Sequence, residues 1–372
     1  MLNKLILTLL ILTLLSSTLS AQTKVGTTGP TFFDLFTSVT SKGMGETGIA
    51  VLSQNSFFNN PANLGLLINA KSGSISFYPK KIKVGPNEDY FNGSISFPII
   101  RKQNSEWHRY FGIAYYYGEF GTIKPQVEID YSMDPAGVTR VFTFKEVMHN
   151  LVLSAALTNS NFDVSWGVTI KYYKESVVDN SFDGYSFEFG STFRYKLLTV
   201  NDEKYSLFLF PAFGAVIKNF GPDMKGFTSE IPLPKTNNYG LSIETGIGKK
   251  MSDDNSVNLI AITPAIEFQE DRYDNWKTNY GLDVSLCELF NARFGIITEG
   301  YLNYNEYTFG YSLSTKQLGK FIKIVTENDQ EPKNRLINFF TNDLDIAYHY
   351  ASYDTLYGEP YHEIIVSYNL GK

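Results

Sequence analysis

From Val164 to Tyr172 the chain alternates with a period of two. Val164, Trp166, Val168, Ile170 and Tyr172 are apolar, while Ser165, Gly167, Thr169 and Lys171 are small or polar. Two is the period of a β-strand, whose successive side chains point to opposite faces. The stretch from Tyr280 to Cys287 keeps the rule with Asp283 on the polar face, and Leu344 to Tyr350 keeps it with Asp345 and His349 there. Glu188 and Arg194 fall on the small, polar face of residues 185–195. Fourteen such segments can be marked: 72–84, 89–101, 110–121, 140–158, 163–177, 185–198, 205–218, 238–250, 257–271, 276–288, 291–304, 307–316, 344–354 and 362–370. Most reach the ~9–11 residues that a tilted strand needs to cross hydrocarbon. Fourteen also satisfies the even strand number of single-chain bacterial barrels.

Alternation alone would equally suit a soluble sandwich with its apolar faces buried. Strand length, strand number and aromatic content favour a barrel. With 25 Tyr and 29 Phe, aromatics make up 15% of a chain whose hydrophobic fraction is an ordinary 43%. A membrane barrel is apolar outside, polar inside and girdled by aromatics at both interfaces. The expected fold is therefore all-β: a transmembrane antiparallel β-barrel of 14 strands, 72–372, with a small N-terminal hatch or plug segment, 22–71. Lys171, Glu188, Arg194, Asp283, Asp345 and His349 are expected to face the lumen. With strand one rising from the periplasm, residues 122–139, 178–184, 219–237 and 271–276 become exterior loops. Residues 317–343 then form a long connection on the periplasmic side, which means either a miscounted strand pair or an insertion.

The N-terminus carries Lys4, an uncharged run from Leu5 to Leu15, and small residues at Ser20 and Ala21. That is the layout of a cleaved secretory signal over residues 1–21. The run is short of the ~20 residues of a helical span. Export to the bacterial outer membrane, with its lipid as the surrounding partner, is the expected localisation. Of 32 Lys and Arg, 31 remain without Lys4, against 38 Asp and Glu. A net charge of −7 argues against a nucleic-acid partner, which demands basic patches. The single Cys287 permits no intramolecular disulfide.

Residues 23–71 do not alternate. Asn60 before Pro61 reads as a helix start, with Asn as the N-cap and Pro at the first helical position, and Gly65 as its end. Such a compact segment suits a plug inside the lumen or an arm outside it. The run Lys42-Gly43-Met44-Gly45, followed by Asn60-Pro61-Ala62-Asn63-Leu64, resembles the N-terminal signature of the PorV/PorQ family and the related FadL-type long-chain fatty-acid transporters. Further resemblance lies in Lys218-Asn219-Phe220-Gly221-Pro222, Ile231-Pro232-Leu233-Pro234 and Tyr239-Gly240-Leu241-Ser242. Ala292-Arg293-Phe294-Gly295, Thr308-Phe309-Gly310-Tyr311, Leu344 to Tyr348 and His362 continue it, so the anchors span 42–370. Asn63 departs from the family's usual Gly, and 317–343 is longer than expected. The resemblance implies a 14-stranded barrel with a hatch, in which Gly43, Gly45, Asn60, Pro61 and Ala62 form the hatch motif.

No catalytic constellation, cofactor site or metal site is evident. Four His, at 108, 149, 349 and 362, supply few convergent groups. Cys287, expected inward near a strand end, has no ligand spacing around it. Glu267, Glu270, Asp271 and Asp274 lack the order of a calcium loop, and so do Glu327, Asp329 and Glu331; solvated loops are the preferred reading of both runs. Two non-enzymatic functions follow from the resemblance. One is assistance to type IX protein secretion by binding cargo or secretion-machinery subunits; the other is FadL-like passage of a hydrophobic ligand. They divide on whether the lumen beside the hatch is apolar. Phe57, Phe58, Leu64 and Leu66 could line an apolar pocket or simply pack the hatch against the wall. The polar inward set favours secretion.

Overall fold

The computed structural model describes residues 38–67, 72–77, 90–103, 107–120, 128–129, 139–140, 144–177, 180–202, 204–225, 230–252, 255–271, 276–299, 304–315, 344–353 and 360–369. The expected signal peptide, Asp274 and all of 317–343, with the acidic run 327–331, lie outside them.

Among the described residues fourteen strands close into one ring. They are β1 (Ser72–Phe77), β2 (Tyr90–Gln103), β3 (His108–Phe120), β4 (Phe144–Thr158), β5 (Phe162–Val177), β6 (Asn180–Tyr195) and β7 (Tyr205–Phe220), followed by β8 (Thr236–Ser252), β9 (Asn255–Asp271), β10 (Trp276–Leu286), β11 (Phe290–Glu299), β12 (Tyr304–Ser314), β13 (Leu344–Tyr353) and β14 (Tyr361–Asn369). Each pairs antiparallel with its neighbours in sequence, and β1 pairs with β14 from Ser72↔Asn369 to Phe77↔Ile364. Closure matters because hydrocarbon offers no water to an unpaired strand edge. Each expected segment corresponds to one observed strand. β6 begins at Asn180, ahead of the expected 185, because 180–184 continue the ladder with β5, and β11 ends at Glu299, short of the expected 304.

The rim at which β14 finishes is the lower rim here, and the opposite rim is the upper. The exterior connections expected from sequence all fall on the upper rim. On the lower rim β12 and β13 are directly hydrogen-bonded from Thr308↔Tyr353 to Ser314↔Ala347. No strand pair is therefore missing from the wall between β12 and β13.

Burial follows the two-residue rhythm in the sense a membrane barrel requires. Leu241 is 50% exposed and Phe294 50%, both on the outer face, while Lys171 (2%) and Glu188 (1%) are enclosed. A soluble sandwich would invert this arrangement. On the outer face near the upper rim, Tyr115, His149, Tyr172 and Tyr185 form a chain of ring contacts, and Tyr115 Oη lies 2.6 Å from His149 Nδ1. Such aromatics suit the membrane interface. Because every strand is paired on both sides, the ring should resist detergent until heated. Unboiled protein is expected to migrate faster on a denaturing gel than boiled protein; identical mobility would count against closure.

Candidate functional site

The lumen is occupied at mid-height by residues 38–67, nearly all of them buried. The segment opens with Ser38, whose side chain accepts the Ser41 amide at 3.1 Å and so caps α1 (Val39–Gly43). That satisfies an otherwise orphaned donor of the first turn. The helix stops at Gly43-Met44-Gly45, where Gly45 takes φ 66, a backbone region costly for any residue with a Cβ. A short 3-10 turn (Ser56–Phe58) and α2 (Asn63–Leu67) follow. α1 packs on β11–β14, and α2 on β3–β5.

The reason this segment fits lies in the wall. Seven strands present an inward-facing glycine where the hatch passes: Gly167 (β5), Gly190 (β6), Gly214 (β7), Gly240 (β8), Gly281 (β10), Gly295 (β11) and Gly310 (β12). A Cβ on Gly295 would lie 1.9 Å from Gly45 N; one on Gly167, 2.3 Å from Pro61 C; one on Gly214, 2.5 Å from Ile49 O. At these three positions hatch backbone rests directly on wall backbone; at Gly190 and Gly281 the nearest hatch atoms are the side-chain oxygens of Asn60 and Thr47.

Polar contacts complete the seat. Glu267 Oε2 accepts the amides of Gly48 (2.9 Å) and Ile49 (3.2 Å). Thr308 Oγ1 accepts the Gly45 amide at 2.8 Å, and Asn55 Nδ2 donates to Glu363 Oε1 at 2.7 Å. His349 bridges Thr40 (3.3 Å) and Gln54 (3.2 Å). Asn60 Nδ2 reaches Ile49 O and Thr192 Oγ1, both at 2.9 Å, while its Oδ1 accepts the Ala62 amide at 3.0 Å. Thr192 Oγ1 in turn donates to Asn63 Oδ1 at 2.7 Å, so the residue that departs from the resembled motif also ties the hatch to the wall.

Several expectations need correcting. The second helix begins at Asn63 rather than Pro61, because Asn60 spends its side chain on the wall and on a local turn. Gly65 lies inside that helix, where its amide donates to Ser154 Oγ at 3.0 Å and a Cβ would strike Ser154. Glu267 belongs to no solvated loop; β9 extends to Asp271 and its alternation turns Glu267 inward. Cys287 lies just past the end of β10, in a turn with φ 52.

Gly43, Gly45, Asn60, Pro61 and Ala62 all sit against the wall. The four hydrophobic candidates divide. Phe57, Phe58 and Leu64 join Tyr116, Met148, Val152 and Tyr173 in an apolar cluster on the upper side, with Leu233 from the connection after β7. Phe58 meets Phe57 and Tyr116 edge-on at 4.7 and 4.6 Å between ring centres. Leu66 packs separately, with Tyr110 and Ala156 toward the lower rim. Beneath the hatch lies a polar chamber of about 330 Å³, lined by Gln54, Arg194, Glu244, Asp283, Arg293 and His349 among others. The lumenal charges expected from sequence do face inward, and several are paired: Lys171 with Glu188 at 2.5 Å, Arg293 with Asp283 at 3.3 Å, and Arg194 with Glu244. Among the described residues no three His, Cys, Asp or Glu side chains converge to hold a metal.

No known protein-family model matches the sequence, and no curated protein does. Solved structures share the barrel. The Ralstonia pickettii toluene transporter TbuX is 13% identical, with 91% of this chain and 100% of that chain covered and a TM-score of 0.45. The Pseudomonas putida toluene transporter TodX is 10% identical over 89% and 97%, with a TM-score of 0.42. A Pseudomonas aeruginosa FadL homologue is 10% identical over 90% and 98%, with a TM-score of 0.40. Likeness at this level carries no argument about activity, since one scaffold hosts many functions.

The wall residues that seat the hatch escaped the sequence reading. Parity could have found some of them: once Asp283 is assigned inward, Gly281 follows by counting two back.

Proposed function

We propose that this chain is a non-enzymatic outer-membrane barrel that passes a hydrophobic small molecule, with residues 1–21 as its cleaved signal, 22–71 as its hatch and 72–372 as its barrel. The observation that carries this reading is the apolar cluster of Phe57, Phe58 and Leu64 with Tyr116 and Met148, on the upper side of the hatch. Apolar packing of the hatch on the wall along that side supports transport over secretion. The pairing of lumenal charges supports the same reading, because paired charges leave less field to recruit ionic solutes or charged cargo. Secretion of the type IX kind, through cargo or machinery bound at the exterior loops, finds no comparable support.

A deletion strain should lose uptake of a radiolabelled fatty acid or aromatic hydrocarbon while keeping its secreted-protein profile. Phe58→Asp, which sets a charge in the cluster, should lower uptake by about tenfold or more, the equivalent of ~1.4 kcal/mol. The unboiled gel shift checks that the variant barrel is intact. Unchanged uptake with an altered secreted profile would overturn the reading in favour of secretion.

A further inference from the structure

We propose that the outer wall over β10–β12 holds the acyl chain of a membrane lipid in a defined groove. This inference is independent of what crosses the lumen. On that face Tyr280, Ile296 and Tyr307 stand side by side in register, forming one outward row. Leu282, Phe294 and Phe309 form a second row, in register again with Ser352 of β13. Between the rows runs a third, Gly281, Gly295 and Thr308, whose side-chain positions point into the barrel. The result is a depression of about 650 Å³ with apolar walls and a backbone floor.

The height of its walls sets this groove apart from the rest of the outer face. Its walls are tall, because four of the six residues in the two rows are aromatic and each of those four is at least 40% exposed. Its floor is fixed from behind: Gly281 and Gly295 carry Met44 and Gly45 of the hatch on their inner faces, so the strands are held there by packing on the lumen side. At the β13 flank the lower row ends in Ser352, a small residue that leaves the groove open sideways. No charged residue lines it.

The occupant follows from where the groove opens. It is continuous with the apolar outer face of the barrel, so the molecules that meet it are lipid tails. Leaving bulk lipid brings a tail no hydrophobic gain, because the tails are as apolar as the wall. Retention rests instead on the many close contacts that tall rings offer a flexible chain, each worth only ~0.1–0.2 kcal/mol. Preferential occupancy should therefore be modest and measurable.

The test reconstitutes the full barrel in phosphatidylcholine vesicles with a trace of phospholipid bearing a diazirine at mid-chain. After irradiation, peptides from β10–β12 are expected to carry about threefold more label than the outer face of β7–β8, where Phe213, Leu241 and Ile243 are as exposed but only one of the three is aromatic. Ser352→Trp, which closes the open flank, should remove the excess, with Ser352→Phe as the second variant should the first not give the unboiled gel shift. Even labelling of the two faces overturns the proposal. So does loss of the excess on adding trace dodecane, which would assign the groove to a free apolar solute, or cross-linking of two barrels through these strands, which would assign it to a second copy.

Discussion

Gly295→Ala will unseat the hatch, whereas Gly310→Ala will leave it in place. Both glycines face the lumen on adjacent strands, and both touch the Gly43–Gly45 corner. At Gly295 a Cβ would lie 1.9 Å from Gly45 N and 2.3 Å from Met44 C; at Gly310 the nearest atom is Tyr350 O of the neighbouring wall strand at 2.8 Å, and the nearest hatch atom is Gly43 Cα at 3.0 Å. The first contact is impossible without moving backbone, and neither partner is free to move. Gly295 is locked in ladders on both sides, and Gly45 is held by Thr308 at φ 66. Overpacking of this kind costs about 1–3 kcal/mol or more, so hatch seating is expected to lose ~3 kcal/mol at Gly295 and under ~1 kcal/mol at Gly310, where the tighter clash is with a wall carbonyl and not with the hatch. In a Cys287→Ser background, Val39→Cys places a thiol on α1 at a position with no exposure. Its maleimide labelling rate should rise by more than about tenfold with Gly295→Ala and stay within about threefold with Gly310→Ala, as local opening free energies dictate. The unboiled gel shift should persist in both. Equal labelling of the two variants would mean that the hatch is not seated on the glycines.

That contrast also marks the limit of what the sequence discloses. The wall was legible because a period of two repeats over long stretches, and one parity choice per strand fixes every side chain on it. Lys171, Glu188 and Asp345 were placed correctly by that choice alone. The hatch has no period. Its path is set by contacts between residues hundreds of positions apart, such as Gly48 with Glu267 and Asn55 with Glu363. Local rules misled there: Asn60 before Pro61 has the form of a helix start, yet its amide is recruited by Thr192 across the lumen. Gly65 has the form of a helix end, yet its lack of a side chain serves contact with Ser154. In the acidic run near 270 the charge suggests a loop, whereas parity gives the inward position that Glu267 takes. The polarity of the inward set is legible by parity; the pairing of opposite charges on neighbouring strands and the phenylalanines that the hatch brings are not.

The pair of Lys171 and Glu188 makes that last point measurable. Their side chains are 3% and 1% exposed and 2.5 Å apart, and Lys171 Nζ also donates to Asn219 Oδ1 at 3.0 Å. Two charges withdrawn from water are tolerated because each satisfies the other; one left alone is not. Lys171→Met should therefore destabilise the barrel by about 3–5 kcal/mol, and adding Glu188→Met should recover most of the loss, because a buried pair replaced by apolar groups of similar size is close to neutral. Urea midpoints of the barrel in detergent micelles, read by the unboiled gel shift, give the cycle directly. A coupling energy above about 2 kcal/mol is expected for neighbours that depend on each other this closely. Losses below about 1 kcal/mol for each single change would mark the pair as no stronger than a surface ion pair. If the charges serve only each other, the double variant should also take up an apolar solute as well as the parent does, since neither charge is then needed by what passes. A double variant that folds normally but loses uptake would mean that the pair contacts the solute, and the lumen's polarity would have to be counted again as part of its selectivity.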